Sequence, residues 1–271
     1  LSRCRRRMQL RHVLQHLLWT DPTSNRPTDG SDSRPIGHFT TREDAMSKHF
    51  LDQFLFVALP YVCLFTFFLM TVYRYRMQSF SYSSLSSQFL ENKHHFWAVV
   101  PFHYGILAIT VGHFIAFFIP RSILAWNSHP LRLYVLEVSA LAFGLLTLVG
   151  LLGVMVRRFS NSKVRYVTTY TDWILFAMLL LQTISGVSLA LFYPWGSSWF
   201  ASNLSPYLWS IFQLSPDLTY ISAMPHLAKF HIVLAFLTIG FFPFTRLVHV
   251  LVIPNPYLWR KPQVVRWYGR R

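Results

Sequence analysis

The sequence predicts an all-α membrane protein built as a bundle of five transmembrane helices. Hydrophobic residues make up 53% of the 271 residues and charged residues only 13%, about half the charged fraction of a typical soluble domain. The apolar residues fall in long blocks, which is typical of chains that span a bilayer. The basic residues lie mostly between those blocks, so the net charge of +15 indicates membrane topology and not nucleic-acid binding.

Five apolar blocks reach the length of about 20 residues that a bilayer requires. They cover residues 50–72, 96–119, 131–156, 169–192 and 229–252. The two cysteines, Cys4 and Cys63, are too few for a disulfide framework or a zinc motif.

Basic residues concentrate in alternate connections between the blocks. The basic residues of connections 1–2 and 3–4 and of the C-terminal tail are Arg74, Arg76, Lys93, Arg157, Arg158, Lys163, Arg165, Arg260, Lys261, Arg266, Arg270 and Arg271. Connection 4–5, residues 194–227, has no Lys or Arg, and connection 2–3 has only Arg121 and Arg132. The positive-inside rule therefore predicts a multi-pass plasma-membrane protein with its C-terminus in the cytoplasm and the start of its first span outside.

Residues 1–45 do not fit this pattern. They hold eight Arg, five acidic residues and three Pro without an apolar segment, a composition typical of disorder and not of a signal peptide. We expect them to be a disordered or non-native upstream extension, with a five-helix membrane domain over 46–271 that begins at Met46.

Four of the twelve histidines lie inside spans, His103 and His113 in the second and His231 and His249 in the fifth. An ionisable residue at membrane depth is costly and is a functional candidate by default. A lone histidine would more often bond to a neighbouring helix, but two pairs on two helices favour a ligand-binding role. His226, directly after Pro225, is the rival to His231.

The topology pairs these histidines across the bilayer. The second and fifth spans run in opposite directions, so His103 faces His249 near the inner side and His113 faces His231 near the outer side. A haem iron takes two axial imidazoles, so the pattern predicts two haem b groups that carry electrons, with the four histidines ligating the iron atoms.

The histidine spacings are unequal. The ten residues from His103 to His113 correspond to a rise of about 15 Å along a helix, and the eighteen from His231 to His249 to about 27 Å. Eighteen residues complete five turns, which would place His231 and His249 on the same helix face. We expect helix tilt, off-axis reach of the side chains, or both to absorb the difference. Gly105 and Gly112 flank the ligands and serve either close approach of a macrocycle or helix packing.

Two motifs resemble the gamma subunit of respiratory nitrate reductase. Residues 102–107 (FHYGIL) and 111–114 (VGHF) resemble its second helix, and residues 230–231 with 241–249 (FFPFTRLVH) resemble its fifth. Shorter similarities occur at 165–169 (RYVTT) and at Gln182 with Gly186. The resemblance runs from about residue 50 to residue 271.

The resemblance implies a cytochrome b membrane anchor that oxidises menaquinol or ubiquinol near the outer haem. Electrons would pass to the inner haem, then to an iron–sulfur beta subunit and a molybdenum-containing alpha subunit that reduces nitrate. The inner pair would hold the proximal haem and the outer pair the distal one. Where the family has a quinol-site lysine this sequence has Arg132, and with Gly112 and Glu137 it makes up the expected quinol site.

Other polar residues have two possible roles each. Arg246, one turn before His249, binds a haem propionate or extends to the cytoplasmic surface. Glu137 accepts a quinol proton or pairs with an Arg. Asp172 is expected to be a helix N-terminal charge, and the tail from 257 to 271 docks a partner subunit or lipid headgroups.

Two other functions remain open at this point. One is the related membrane subunit of a sulfur-metabolism complex, which shares the histidine-bearing helix pair. The other is a transporter that uses intramembrane histidines as a proton relay. Haem b absorbance bands distinguish the transporter from the two cytochromes.

Overall fold

The computed structural model describes residues 50–77 and 95–251, and all regular structure in those ranges is helical. Five helices are long and apolar enough to cross a membrane, which confirms the predicted number of spans. They are α1 (Phe50–Met77), α2 (His95–Phe118), α3 (Pro130–Ser160), α4 (Tyr170–Phe192) and α5 (His226–Phe241). The predictions for 1–45 and for the tail 257–271 fall outside the described residues.

The helix boundaries follow from local sequence signals. Pro130 stands in the first turn of α3, where its missing N–H costs nothing. A capping box begins α4, in which the Asp172 carboxylate accepts from the Thr169 N–H at 2.9 Å and the Thr169 hydroxyl accepts from the Asp172 N–H at 3.4 Å. The expectation that Asp172 is a helix N-terminal charge is confirmed.

Small residues set the contact between α2 and α3. A Cβ on Gly105 would overlap Thr147, and a Cβ on Gly150 would overlap the backbone of Phe102. Such small-residue contacts let two backbones approach closely in a membrane. Gly105 therefore serves helix packing, one of its two expected roles. The extensive helix contacts continue from α3 to α4, α4 to α5 and α5 to α1, so α2 does not pack along α5 over its length.

The prediction of one continuous helix over 229–252 is wrong. The α-helix ends at Phe241 and is followed by a 3-10 turn (Phe242–Phe244), an extended Thr245 with φ −112° and ψ 177°, and a second 3-10 segment (Arg246–Leu251). Pro243 lacks the N–H that continuation of an α-helix requires. His231 and His249 are therefore not five turns apart on one helix face.

The connection between α4 and α5 is folded over the C-terminal end of α2. The hydroxyl of Ser205 donates to the Ala116 carbonyl at 2.9 Å and the indole of Trp209 to the Phe117 carbonyl at 3.2 Å, which satisfies carbonyls that a helix end leaves unpaired. The buried Tyr207 donates to the Phe56 carbonyl of α1 at 2.7 Å. Burial raises the pKa of Tyr207, which keeps this phenol protonated as a donor.

The two ends of the bundle are distinguished by their histidines. The His113 end is where α2 ends and α5 begins, and the His103 end is where α2 begins. Four tryptophans lie in or beside the connections at the His113 end, namely Trp126, Trp195, Trp199 and Trp209.

Candidate haem sites

The structure brings His103 and His249 together, with ring centres 6.3 Å apart. Their Nδ1 atoms lie 2.8 Å from the Val99 carbonyl and 2.6 Å from the Arg246 carbonyl. Because a carbonyl oxygen only accepts, each Nδ1 carries the proton and each Nε2 keeps its lone pair. This arrangement, a ring N–H bonded to a backbone carbonyl, is the usual one for histidines that bind a metal through the other nitrogen.

The spacing of this pair, which we call the His103 pair, fits two imidazoles on one iron. A metal–imidazole bond is about 2 Å long and the ring centre lies roughly 1 Å behind the nitrogen, so two axial ligands have ring centres about 6 Å apart. The observed 6.3 Å meets this requirement.

The second pair, His113 and His231, which we call the His113 pair, has different partners. The Nδ1 of His113 donates to the Ile109 carbonyl at 2.8 Å. The Nδ1 of His231 lies 2.8 Å from the Ser185 hydroxyl, which itself donates to the Gln182 carbonyl at 3.0 Å and so accepts from the imidazole. The His231 Nε2 lies 3.1 Å from the Gln182 amide nitrogen.

The two histidines of the His113 pair have different surroundings. Beside His113 there is open space, whereas His231 lies close to the backbone of α4. The His113 ring is exposed and meets the edge of Phe200, with ring centres 5.1 Å apart. A Cβ on the neighbouring Gly112 would meet nothing within 4 Å, whereas a Cβ on Gly186 would come within 3.0 Å of the His231 ring. Both features fit a planar group bound beside α2 and close to α4.

His226 occupies a different position from its rival. It is exposed at the first residue of α5, while His231 lies about one and a half turns further along that helix, against α4. Among the described residues, no three His, Cys, Asp or Glu side chains converge.

The break in α5 explains the unequal spacing. Ten helical residues separate His103 from His113, and ten separate His231 from Phe241, each rising about 15 Å. The remaining eight residues run through the 3-10 segments and bring His249 to His103. The break therefore accounts for the eight additional residues of the second interval.

Arg246 contacts both α4 and the residues that precede α4 in the sequence. Its Nε lies 3.1 Å from Asp172 Oδ1, and its Nη2 donates to the Val167 carbonyl at 2.8 Å. Asp172 is buried. This carboxylate therefore caps α4 and pairs with Arg246 at once.

Two arginines that were assigned to connection 3–4 from the sequence belong to the end of α3 and are buried there, Arg157 and Arg158. Arg158 donates to the Thr168 hydroxyl at 2.8 Å and its guanidinium lies 4.9 Å from the ring centre of Phe176. The sequence signal that marked this region was the short RYVTT similarity that contains Thr168. Charge counting alone did not reveal the burial.

The expected quinol-site residues lie at the His113 end but do not all meet. The Arg132 guanidinium lies 5.2 Å from the ring centre of Trp126. Glu137 Oε1 accepts from the Ser197 N–H at 2.9 Å and from its hydroxyl at 2.5 Å. Five residues turn a helix through about 140° beyond one full turn, so Arg132 and Glu137 point apart. In the described part of the chain the partner of Glu137 is Ser197 and not an Arg.

The chain matches a known family over most of its length. A family model described as "Nitrate reductase gamma subunit" matches residues 52–268. The respiratory nitrate reductase 2 gamma chain of Escherichia coli (strain K12) is 32% identical over 226 residues, 80% of this chain and 97% of that protein. The nitrate reductase gamma chain of Bacillus subtilis (strain 168) is 31% identical over 218 residues, 79% of this chain and 97% of that protein.

A partial relative comes from another system. One of the subunits of the dihydromethanophenazine:CoB–CoM heterodisulfide reductase of Methanosarcina barkeri (strain Fusaro / DSM 804) is 31% identical over 128 residues, 46% of this chain and 42% of that protein. The match of the family model and of the two gamma chains is far more extensive. This multi-pass membrane protein therefore belongs to the nitrate reductase gamma subunit family.

Proposed function

We propose that the chain is the cytochrome b subunit of a nitrate reductase, which oxidises quinol at the His113 end and delivers electrons at the His103 end. The observation that carries the proposal is the His103 pair, with ring centres 6.3 Å apart and each Nδ1 bonded to a backbone carbonyl. Nε2 atoms with free lone pairs at this spacing suit a bis-histidine haem.

His103 and His249 would ligate the proximal haem b, and His113 and His231 the distal one. When bound, haem b supplies iron that accepts and releases one electron at a time. In the His113 pair, binding through His231 Nε2 requires the Gln182 amide, now 3.1 Å away, to move aside. Arg246 would bind a propionate of the proximal haem, since it lies three residues before His249 and is oriented by Asp172.

Arg132, Gly112 and Glu137 would form the quinol site at the His113 end, for menaquinol or ubiquinol. Arg132 lies exposed at the start of α3, from which a guanidinium can donate to a quinol oxygen. Gly112 borders open space beside His113. Glu137 would accept a proton through Oε2, because Oε1 already takes two hydrogen bonds from Ser197.

The charge distribution supports one orientation in the membrane. Arg74, Arg76, Arg157 and Arg158 lie at the His103 end, and by the positive-inside rule this end with the C-terminus is cytoplasmic. An iron–sulfur beta subunit and a molybdenum alpha subunit would dock there. Quinol protons would leave on the opposite side, which makes the electron transfer electrogenic.

The test is a histidine series in the complete complex, read by reduced-minus-oxidised spectra and potentiometric titration. We expect His103→Leu and His249→Leu to lose one and the same haem b component, and His113→Leu and His231→Leu to lose the other. His226→Leu is the matched control and keeps both. Retention of both haems in His103→Leu or His249→Leu would contradict the proposed ligands, and a native protein without haem b bands would favour the proton-relay transporter.

The partial match to a heterodisulfide reductase subunit gives the sulfur-metabolism complex as the second candidate. It predicts the same haem spectra but different soluble subunits. The masses of the subunits that co-purify with the chain from its native membrane decide between the two.

A further inference from the structure

Arg74 lies near the end of α1, where a basic residue ordinarily marks the cytoplasmic side of a span. In the folded chain its Nη1 donates to two backbone carbonyls of the α5 break, that of Pro243 at 2.5 Å and that of Thr245 at 2.9 Å. The contact joins residues that are 169 and 171 positions apart. Its half-buried side chain does more than extend to the surface.

The break in α5 creates a need for such a donor. After Phe241 the α-helical pattern stops, and Thr245 is extended between two 3-10 segments. Carbonyls in such a segment lose the N–H partner that an α-helix supplies, and an unpaired carbonyl at the edge of a membrane is costly. Arg74 Nη1 carries two N–H groups, so this one nitrogen can donate to both carbonyl oxygens.

The residues whose carbonyls accept from Arg74 lie a few positions before His249 in the sequence. Thr245 is buried, and its hydroxyl accepts from the Leu247 N–H at 3.1 Å. The next carbonyl, that of Arg246, accepts from His249 Nδ1 at 2.6 Å. On the other side Arg246 is paired with Asp172 of α4 at 3.1 Å. The 243–249 segment is thus held between α1 and α4.

We infer that Arg74 is a positioning residue for His249, which holds the α5 break in the conformation that brings the imidazole to His103. The inference deepens the proposed function and rests on it. A histidine on a regular helix needs no such support, since His103 and His113 bond to the carbonyl four residues earlier in α2.

The matched pair of variants is Arg74→Gln and Arg76→Gln in the complete complex. Both remove one positive charge from the same end of α1, but Arg76 is exposed. We expect Arg74→Gln to shift the midpoint potential and the low-spin electron paramagnetic resonance signal of the proximal haem and to weaken its retention about 10-fold, the lower end of the range for lost ligand support. The distal haem should be unchanged, and Arg76→Gln should leave both haems as in the native protein.

Arg74→Lys is the second variant, because its ammonium keeps the charge and the N–H donors but differs from the guanidinium in shape and in the position of its nitrogen. We expect an intermediate shift of the proximal haem alone, and this variant decides if Arg74→Gln does not accumulate. A native-like proximal haem in Arg74→Gln, or an equal change in both haems, would overturn the inference. The proposed function fails separately, when the native protein itself lacks two haem b components.

Discussion

The two histidine pairs are held by different kinds of partner. In the His103 pair, both Nδ1 atoms bond to backbone carbonyls, those of Val99 and Arg246. In the His113 pair, only His113 does so, through Ile109, while His231 is bonded to the side chains of Ser185 and Gln182 in α4. The His103 pair therefore depends on the course of the backbone, and the His113 pair also depends on particular side chains.

This difference indicates how each pair responds to change. A backbone carbonyl is present whatever the residue, so the His103 pair should be sensitive to alterations of helix path and helix packing. Ser185 and Gln182 can be replaced without moving a helix, so the His113 pair should be adjustable by single side-chain changes. The glycines beside the two pairs differ likewise. Gly105, near His103, is closely packed, whereas Gly112, near His113, borders open space.

The largest expected effect separates Gly105→Val from Gly112→Val. At Gly105 an added side chain meets Thr147 and the Phe143 carbonyl, the latter at 2.9 Å from the new Cβ, so α2 and α3 must separate. Overpacking of this kind costs about 1–3 kcal/mol or more when backbone has to move. We expect a clear drop in the thermal midpoint of Gly105→Val and a loss of both haems.

Gly112→Val is the control for that experiment, because a Cβ there meets nothing within 4 Å. It should keep the thermal midpoint and the proximal haem, with any change confined to the distal haem and to quinol oxidation, since Gly112 borders the open space beside His113. Equal thermal midpoints for the two variants would mean that α2 and α3 are not in close backbone contact at Gly105.

A smaller effect is expected from Ser185→Ala, which removes the hydroxyl that accepts from His231 Nδ1. Loss of such a ligand partner typically weakens metal binding about 10-fold or more. Potentiometric titration should show a shifted distal haem and an unchanged proximal haem. Ser139→Ala is the control, since its exposed hydroxyl bonds only within α3, to the Leu136 carbonyl. A shift of the proximal haem in Ser185→Ala would remove the distinction between the pairs.

The smallest structural effect is expected for Glu137→Gln. Glu137→Gln keeps an oxygen for the Ser197 N–H and hydroxyl, whereas Glu137→Ala leaves that backbone donor without its partner, at a cost of about 1–3 kcal/mol. Thermal denaturation should therefore rank Ala below Gln. If Glu137 also accepts the quinol proton, Glu137→Gln has native stability but slowed quinol oxidation. Native rates in Glu137→Gln would leave Glu137 with the Ser197 contact alone.

Most of the fold and half of the site geometry follow from local patterns. Apolar block length predicted all five spans, and the α4 capping box follows from Thr169 and Asp172. Opposite helix directions suffice to pair His103 with His249. The errors arose where a residue far away in the sequence supplies the hydrogen bonds that a local segment lacks. Apolar block length predicted a helix through residue 252 although Pro243 disfavours one, and no local pattern shows that Arg74 supplies donors to the broken segment.

By itself, the sequence determined the membrane class, the number of spans and the four candidate ligands, because bilayer thickness and the cost of buried polar groups act on composition alone. Tertiary structure decided how those ligands are held. It buried Arg157 and Arg158, joined Glu137 to Ser197, and ended the α-helix of α5 at Phe241, with Arg74 donating to the segment that carries His249. Each of these depends on hydrogen bonds or packing between residues far apart in the chain, which no local pattern records.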